Sequence, residues 1–143
     1  MPPLGDSRVE PRSGVYPPPV RTRWFSLGAI VLAMTVAGGA FGAHALRARL
    51  DASSLALWET AVRYLALAGL GLLALGLAAG DRPVRGWTVA GTCLAAGALI
   101  FSGTVAAMAL GGPRWLGIVT PAGGVLLIAG FLVLAVVGAR QKR

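Results

Sequence analysis

Four long runs of this chain carry no charged side chain: residues 24–43, 64–80, 86–113 and 115–139. No other feature narrows the fold as much. A helix rises 1.5 Å per residue, so roughly 20 apolar residues cross a bilayer core of about 30 Å. The first, third and fourth runs reach that length alone. The second reaches it if the helix starts ahead of Tyr64, with Trp58 at the interface and Glu59 and Arg63 in its first turns. Glu59 and Arg63 are spaced four apart in the order that favours a helical ion pair, so a salt bridge where this helix meets the membrane is expected. Runs of this length in lipid must satisfy their own backbone hydrogen bonds, which makes them helices. The expected fold is therefore all-α, an integral membrane four-helix bundle with spans near 25–45, 57–80, 86–110 and 116–138.

Composition agrees: 56% of residues are hydrophobic and 13% charged, with a mean hydropathy of +0.74. The net charge of +8 does not point to nucleic acid. Its arginines bracket the apolar runs as topological anchors, and no basic face with polar or aromatic partners accompanies them. The single cysteine, Cys93, lies inside an apolar run. It permits no intrachain disulfide, and no metal-ligand spacing exists, so neither metal nor cofactor is expected. Arginine used almost to the exclusion of lysine, with abundant alanine and glycine, is the habit of a GC-rich bacterial genome.

An even number of spans leaves both termini on one side. Arg8, Arg12, Arg21, Arg23, Arg82, Arg85, Arg140, Lys142 and Arg143 fall on that side, against Arg47, Arg49, Arg63 and Arg114 on the other. The positive-inside rule then predicts cytoplasmic termini in the bacterial plasma (inner) membrane. Residues 1–24, rich in Pro and Arg, read as a disordered tail preceding a 25–139 membrane domain, and residues 140–143 as a short basic tail. Arg21, Arg23, the first run and Ala43-His44-Ala45 also match a signal peptide with its cleavage site. The long charged region and the full-span length of the run favour a membrane helix.

On a helix, Gly38, Gly42 and Ala45 share a face, as do Gly103, Ala107 and Gly111, and Gly76 with Gly80. Such small-residue stripes let helices approach closely. His44, the one histidine, falls on the side of Ala37, Ala40 and Phe41, near the membrane surface. It is expected to hydrogen-bond within its own bundle, with a proton relay as the sharper and less favoured role. Ser102 and Cys93 lack a base and an orienting group, so nucleophilic chemistry is not expected; hydroxyls of the third span are expected to bond back to the preceding turn. Thr120-Pro121 suits an N-cap followed by an N1 proline, so Pro121 either starts the fourth helix or interrupts one begun at Trp115. A late start would leave residues 114–120 irregular and lining a cavity.

Four segments in order and spacing carry a family resemblance: GAFGAHAL at 39–46, WETAVRY at 58–64, FSG at 101–103 and LGIVTPAGG at 116–124. Together they resemble the small four-helix membrane proteins of the domain of unknown function 423 family, a group similar to the animal transmembrane protein 256. The resemblance covers about residues 25–139 and implies a membrane fold rather than an activity. It marks Gly38, Gly42, His44, Trp58, Tyr64, Ser102, Gly103, Thr120, Pro121 and Gly124 as the motif and packing positions. Members of that family typically carry a histidine where this chain has Ala68 and often a tyrosine where it has Ala106, so a two-histidine relay would be half missing here.

The functional expectation is a small, non-enzymatic membrane protein acting through contacts with the lipid bilayer, a membrane-protein partner or a second copy of the chain. The alternative is a small transporter or channel, proton-linked through His44.

Overall fold

The structure, a computed structural model, describes residues 20–79 and 85–140. The expectations for residues 1–19, Gly80, Arg82 and the last three residues lie outside that range. Four helices are long and apolar enough to span a membrane: α1 (Val20–Phe41), α2 (Ala52–Ala78), α3 (Arg85–Ala109) and α4 (Leu116–Arg140). A π-helical turn, Gly42–Leu46, extends α1. The first helix begins at Val20, inside what reads as the tail. The second begins five residues ahead of 57, because Asp51 caps it: the carboxylate accepts from Ser54 N at 2.8 Å and from Ser53 Oγ at 2.6 Å. These hydrogen bonds, the Ser53 hydroxyl first, lower the Asp51 pKa to about 2.

Each helix runs antiparallel to the next. Gly28 lies against Leu73 and Gly42 against Trp58, Tyr64 stacks on Phe101, and Gly97 meets Leu127. The α1–α2 and α3–α4 connections therefore share one end of the bundle, here termed the turn end. The helices pack mainly in chain order, with α2 and α3 central. In the best spanning windows 39% of α2 and of α3 is buried, against 11% of α1 and 17% of α4, so the outer helices keep most of their apolar surface for lipid.

The core is a layer of Ala68 and Leu72 from α2, Leu94 and Ala98 from α3, and Leu127 from α4, flanked by Leu27 and Val31 of α1. Towards the opposite end, Leu75, Ala79, Trp87 and Ala90 form a second cluster. Lipid tails are as apolar as these side chains, so burial alone gives helices little reason to associate in a membrane. Close approach and dispersion supply it. A Cβ on Gly28 would sit 2.5 Å from Leu73 N, one on Gly97 2.8 Å from Leu127 N, and one on Gly123 2.5 Å from Phe101 N. The Trp24 ring lies on Gly91 in the same way.

The Gly103, Ala107 and Gly111 stripe does not pack a helix. Gly103 and Gly111 have no other element near their Cα, and Gly111 sits at φ +88° in the α3–α4 turn. Helical periodicity puts the three on one face without saying which face meets a neighbour. The buried face of α3 is instead Trp87, Ala90, Leu94, Ala98, Ser102, Val105 and Ala109.

The fourth helix starts early. Gly112 N bonds Ala107 O at 2.8 Å, and Leu116, Gly117 and Ile118 N each bond the carbonyl three residues back. This tight lead-in starts α4 at Leu116, so residues 116–120 are helical and Pro121 lies inside the helix. Proline there forfeits the bond to the Gly117 carbonyl. Thr120 is no N-cap; its hydroxyl reaches back to Leu116 O at 3.0 Å.

Candidate functional site

The motif residues gather at two places in the turn-end half. The first is the α1–α2 seam. Trp58 lies over the notch left by Gly38 and Gly42: its Nε1 donates to Gly38 O at 2.9 Å, and a Cβ on Gly42 would come within 2.7 Å of the indole. Phe41 flanks the same ring at 6.0 Å between centroids. The small-residue face predicted from spacing is thus a seat for one aromatic side chain.

The second place is the junction of α2, α3 and α4. Tyr64 stacks on Phe101 at 4.6 Å between centroids, while Phe101 covers Gly123 and Gly124. One turn on, Thr104 Oγ1 and Thr120 Oγ1 stand 2.8 Å apart. Thr104 also bonds back to Ile100 O at 2.7 Å, as Thr92 does to Thr88 O at 2.9 Å. The cross-helix bond involves Thr104, which spacing alone did not single out.

Two cavities share Trp58 and Val62 in their walls. The larger, about 430 Å³, is a cleft at the turn end lined by Gly39, Gly42, Arg47, Trp58, Glu59 and Arg63 among others. The smaller, about 260 Å³, is almost wholly apolar and lies among α1, α2 and α3, with Met34, Leu65, Leu99, Ser102 and Gly103 in its wall. Ser102 is 5% exposed, and its hydroxyl has no hydrogen-bond partner. The indole nitrogens of Trp24 and Trp87 are likewise buried without a partner.

The expected Glu59–Arg63 ion pair is absent: among the described residues no carboxylate and guanidinium approach within 4.0 Å. Both side chains are exposed on the cleft, and an exposed pair gains too little to offset the entropy of holding two long side chains together. His44 is exposed, as are Ala37, Ala40 and Phe41. It lines neither cavity, and among the described residues no hydrogen bond engages its ring. The bond that would lock it into the bundle is therefore not made.

What brings charge into the cleft is the π turn. Arg47 N bonds Gly42 O at 3.1 Å, the i to i+5 pattern that places Arg47 over Gly42. In a continuous α-helix Arg47 would stand about 140° round from Gly42, away from Trp58. Arg63 approaches from the other helix. Side chains lean towards a helix N-terminus, and that end of α2 is at the rim, so Arg63 reaches up along Val62 and Glu59.

Fold and site together define a small multi-pass membrane protein whose charged groups edge a cleft between its first two helices. The chain belongs to the DUF423 family, described as a protein family of unknown function, whose pattern matches residues 38–124. It is 42% identical over 111 residues to a UPF0382 membrane protein of Staphylococcus haemolyticus, covering 77% of this chain and 89% of that one. UPF0382 membrane proteins of Staphylococcus saprophyticus and Staphylococcus epidermidis are 43% and 44% identical over the same length, with 91% and 89% of their own chains covered. No solved structure matches.

Proposed function

We infer that this is a non-catalytic protein of the bacterial plasma membrane that works through contacts with lipid or with another membrane protein, its termini in the cytoplasm. The observation that supports this is where the charged groups of the motif region lie. Arg47, Glu59 and Arg63 are exposed around a cleft on the outside of the α1–α2 hairpin, at the level where a membrane meets water. There they can engage a headgroup or a partner's polar rim. A proton-linked transporter through His44 has no comparable support, because the ring stands outside both cavities.

Gentle purification from native membranes, followed by mass spectrometry of what stays bound, tests the reading. A stoichiometric lipid or protein is the expected result. A clean protein that passes a substrate through liposome membranes, with flux abolished by His44→Ala, would replace this reading with the transporter.

A further inference from the structure

We propose that the α1–α2 cleft is a phospholipid headgroup site, selective for an anionic phosphodiester whose headgroup carries free hydroxyls, as in phosphatidylglycerol. The proposal rests on the lipid-contact reading and names its ligand. The cleft is lined by two guanidiniums, Arg47 and Arg63, and one carboxylate, Glu59, so 2 − 1 leaves it a charge of +1. Among the described residues neither arginine is engaged by an acidic side chain within 4.0 Å, and both are free to donate. Guanidinium forks match the paired oxygens of a phosphate, and such charge-assisted bonds are the strong ones.

Glu59 narrows the class. A carboxylate accepts hydrogen bonds and repels anions, so it disfavours a bare phosphomonoester and favours a headgroup with donors beyond its phosphate. A zwitterionic ethanolamine lipid offers an ammonium to Glu59 but leaves the cleft's net charge unbalanced. A singly anionic lipid with hydroxyls balances it and supplies the donors. Leu55, Val62 and the Trp58 ring give the cleft an apolar wall against which the glycerol backbone and first methylenes can lie. Tryptophan suits that depth, where one side of the ring is wet and the other apolar.

The π turn is the positioning device. It turns Arg47 towards the cleft, and π turns inside α-helices recur at functional sites. The Trp58 bond to Gly38 O holds the opposite wall in place. Neither element needs to move for a headgroup to seat.

The test is native mass spectrometry of the full-length protein titrated with phosphatidylglycerol, phosphatidylethanolamine, phosphatidic acid and, as the tail-less control, glycerol phosphate. Phosphatidylglycerol should bind best. The pair Arg47→Gln with Arg63→Gln should weaken it by about tenfold, the scale of one lost charge-assisted contact. Arg114→Gln, an exposed arginine of the same end outside the cleft lining, should leave it unchanged. Glu59→Gln should raise phosphatidic acid towards phosphatidylglycerol, because it removes both the repulsion and the hydroxyl acceptor. All the substituted side chains are exposed, and unchanged melting of the lipid-free variants checks that the fold is kept.

Equal loss in Arg114→Gln would mean rim charge alone and would overturn the site. So would glycerol phosphate competing at lipid concentrations. A lipid retained in full by the double arginine variant refutes the headgroup assignment while leaving the lipid-contact reading intact. Retention of neither lipid nor protein removes both.

Discussion

In the α3–α4 hairpin, glycine meets backbone. A Cβ on Gly123 would press on Phe101 N and Cα, the threonine pair bonds across one turn further on, and Gly111 closes the turn at positive φ. The α1–α2 hairpin brings its ends together over a similar length, but at Gly42 the neighbour is the Trp58 ring. A backbone-to-backbone seam leaves no volume at its edges. A seam spaced by one large flat side chain does, and both cavities have Trp58 in their walls. Glycines that look equivalent in sequence therefore do different things: one set closes the scaffold and the other props a site open.

The comparison is broken most directly by adding one methyl group to each seam. Gly123→Ala should be the most damaging, since the new carbon meets Phe101 backbone that can move only if α3 and α4 separate. Overpacking of this kind costs about 1–3 kcal/mol. Gly42→Ala should cost less, because an indole can swing aside, at the expense of its bond to Gly38 O. Thermal unfolding in one detergent measures both. Equal losses, or a larger loss for Gly42→Ala, would show that Trp58 is as fixed as a backbone.

A smaller effect sharpens the picture of the closed seam. Thr104 and Thr120 have two hydroxyl protons between them, yet the geometry offers a cross-helix bond and a back-bond to each helix. One hydroxyl must donate across while the other donates to its own carbonyl. A double-mutant cycle with Thr104→Val and Thr120→Val should give a coupling of about 0.6 kcal/mol, the average for hydrogen bonds between membrane helices. A coupling indistinguishable from zero would leave the seam to glycine packing alone.

How far these two regions could be read beforehand differs for physical reasons. The four spans follow from uncharged length, because lipid tolerates no unsatisfied backbone. The Gly38 and Gly42 face also follows from spacing, though not that a tryptophan would fill it. The early start of α2 was within reach, since Asp51-Ala52-Ser53-Ser54 reads as a capped helix start, but Glu59 and Arg63 drew attention to the apolar run instead. The π turn left no local signal: GAHAL has nothing to distinguish it from ordinary helix, and only packing decides its register. With it went the direction of Arg47. Thr104 meeting Thr120 and Phe101 lying between Tyr64 and Gly123 are tertiary facts, set by which faces of α3 turn inward.

The smallest expected effect concerns the connection below the open seam. The Asp51 carboxylate accepts from Ser53 Oγ, Ser54 N and Ser54 Oγ, and its pKa is lowered from 3.8 to about 2. A depressed carboxylate contributes stability that is present in full above the unfolded value and lost as pH falls through the folded one. The cap should therefore hold at neutral pH and weaken between about pH 4 and 2. Asp51→Asn, itself a good N-cap residue, should lower the melting midpoint only slightly at pH 7 and flatten its acid dependence in that window. An unchanged acid dependence would mean that Asp51 does not anchor the start of α2. The wall carrying Glu59 and Arg63 would then be held by Trp58 alone, and the open seam would depend on one side chain where the closed seam depends on many.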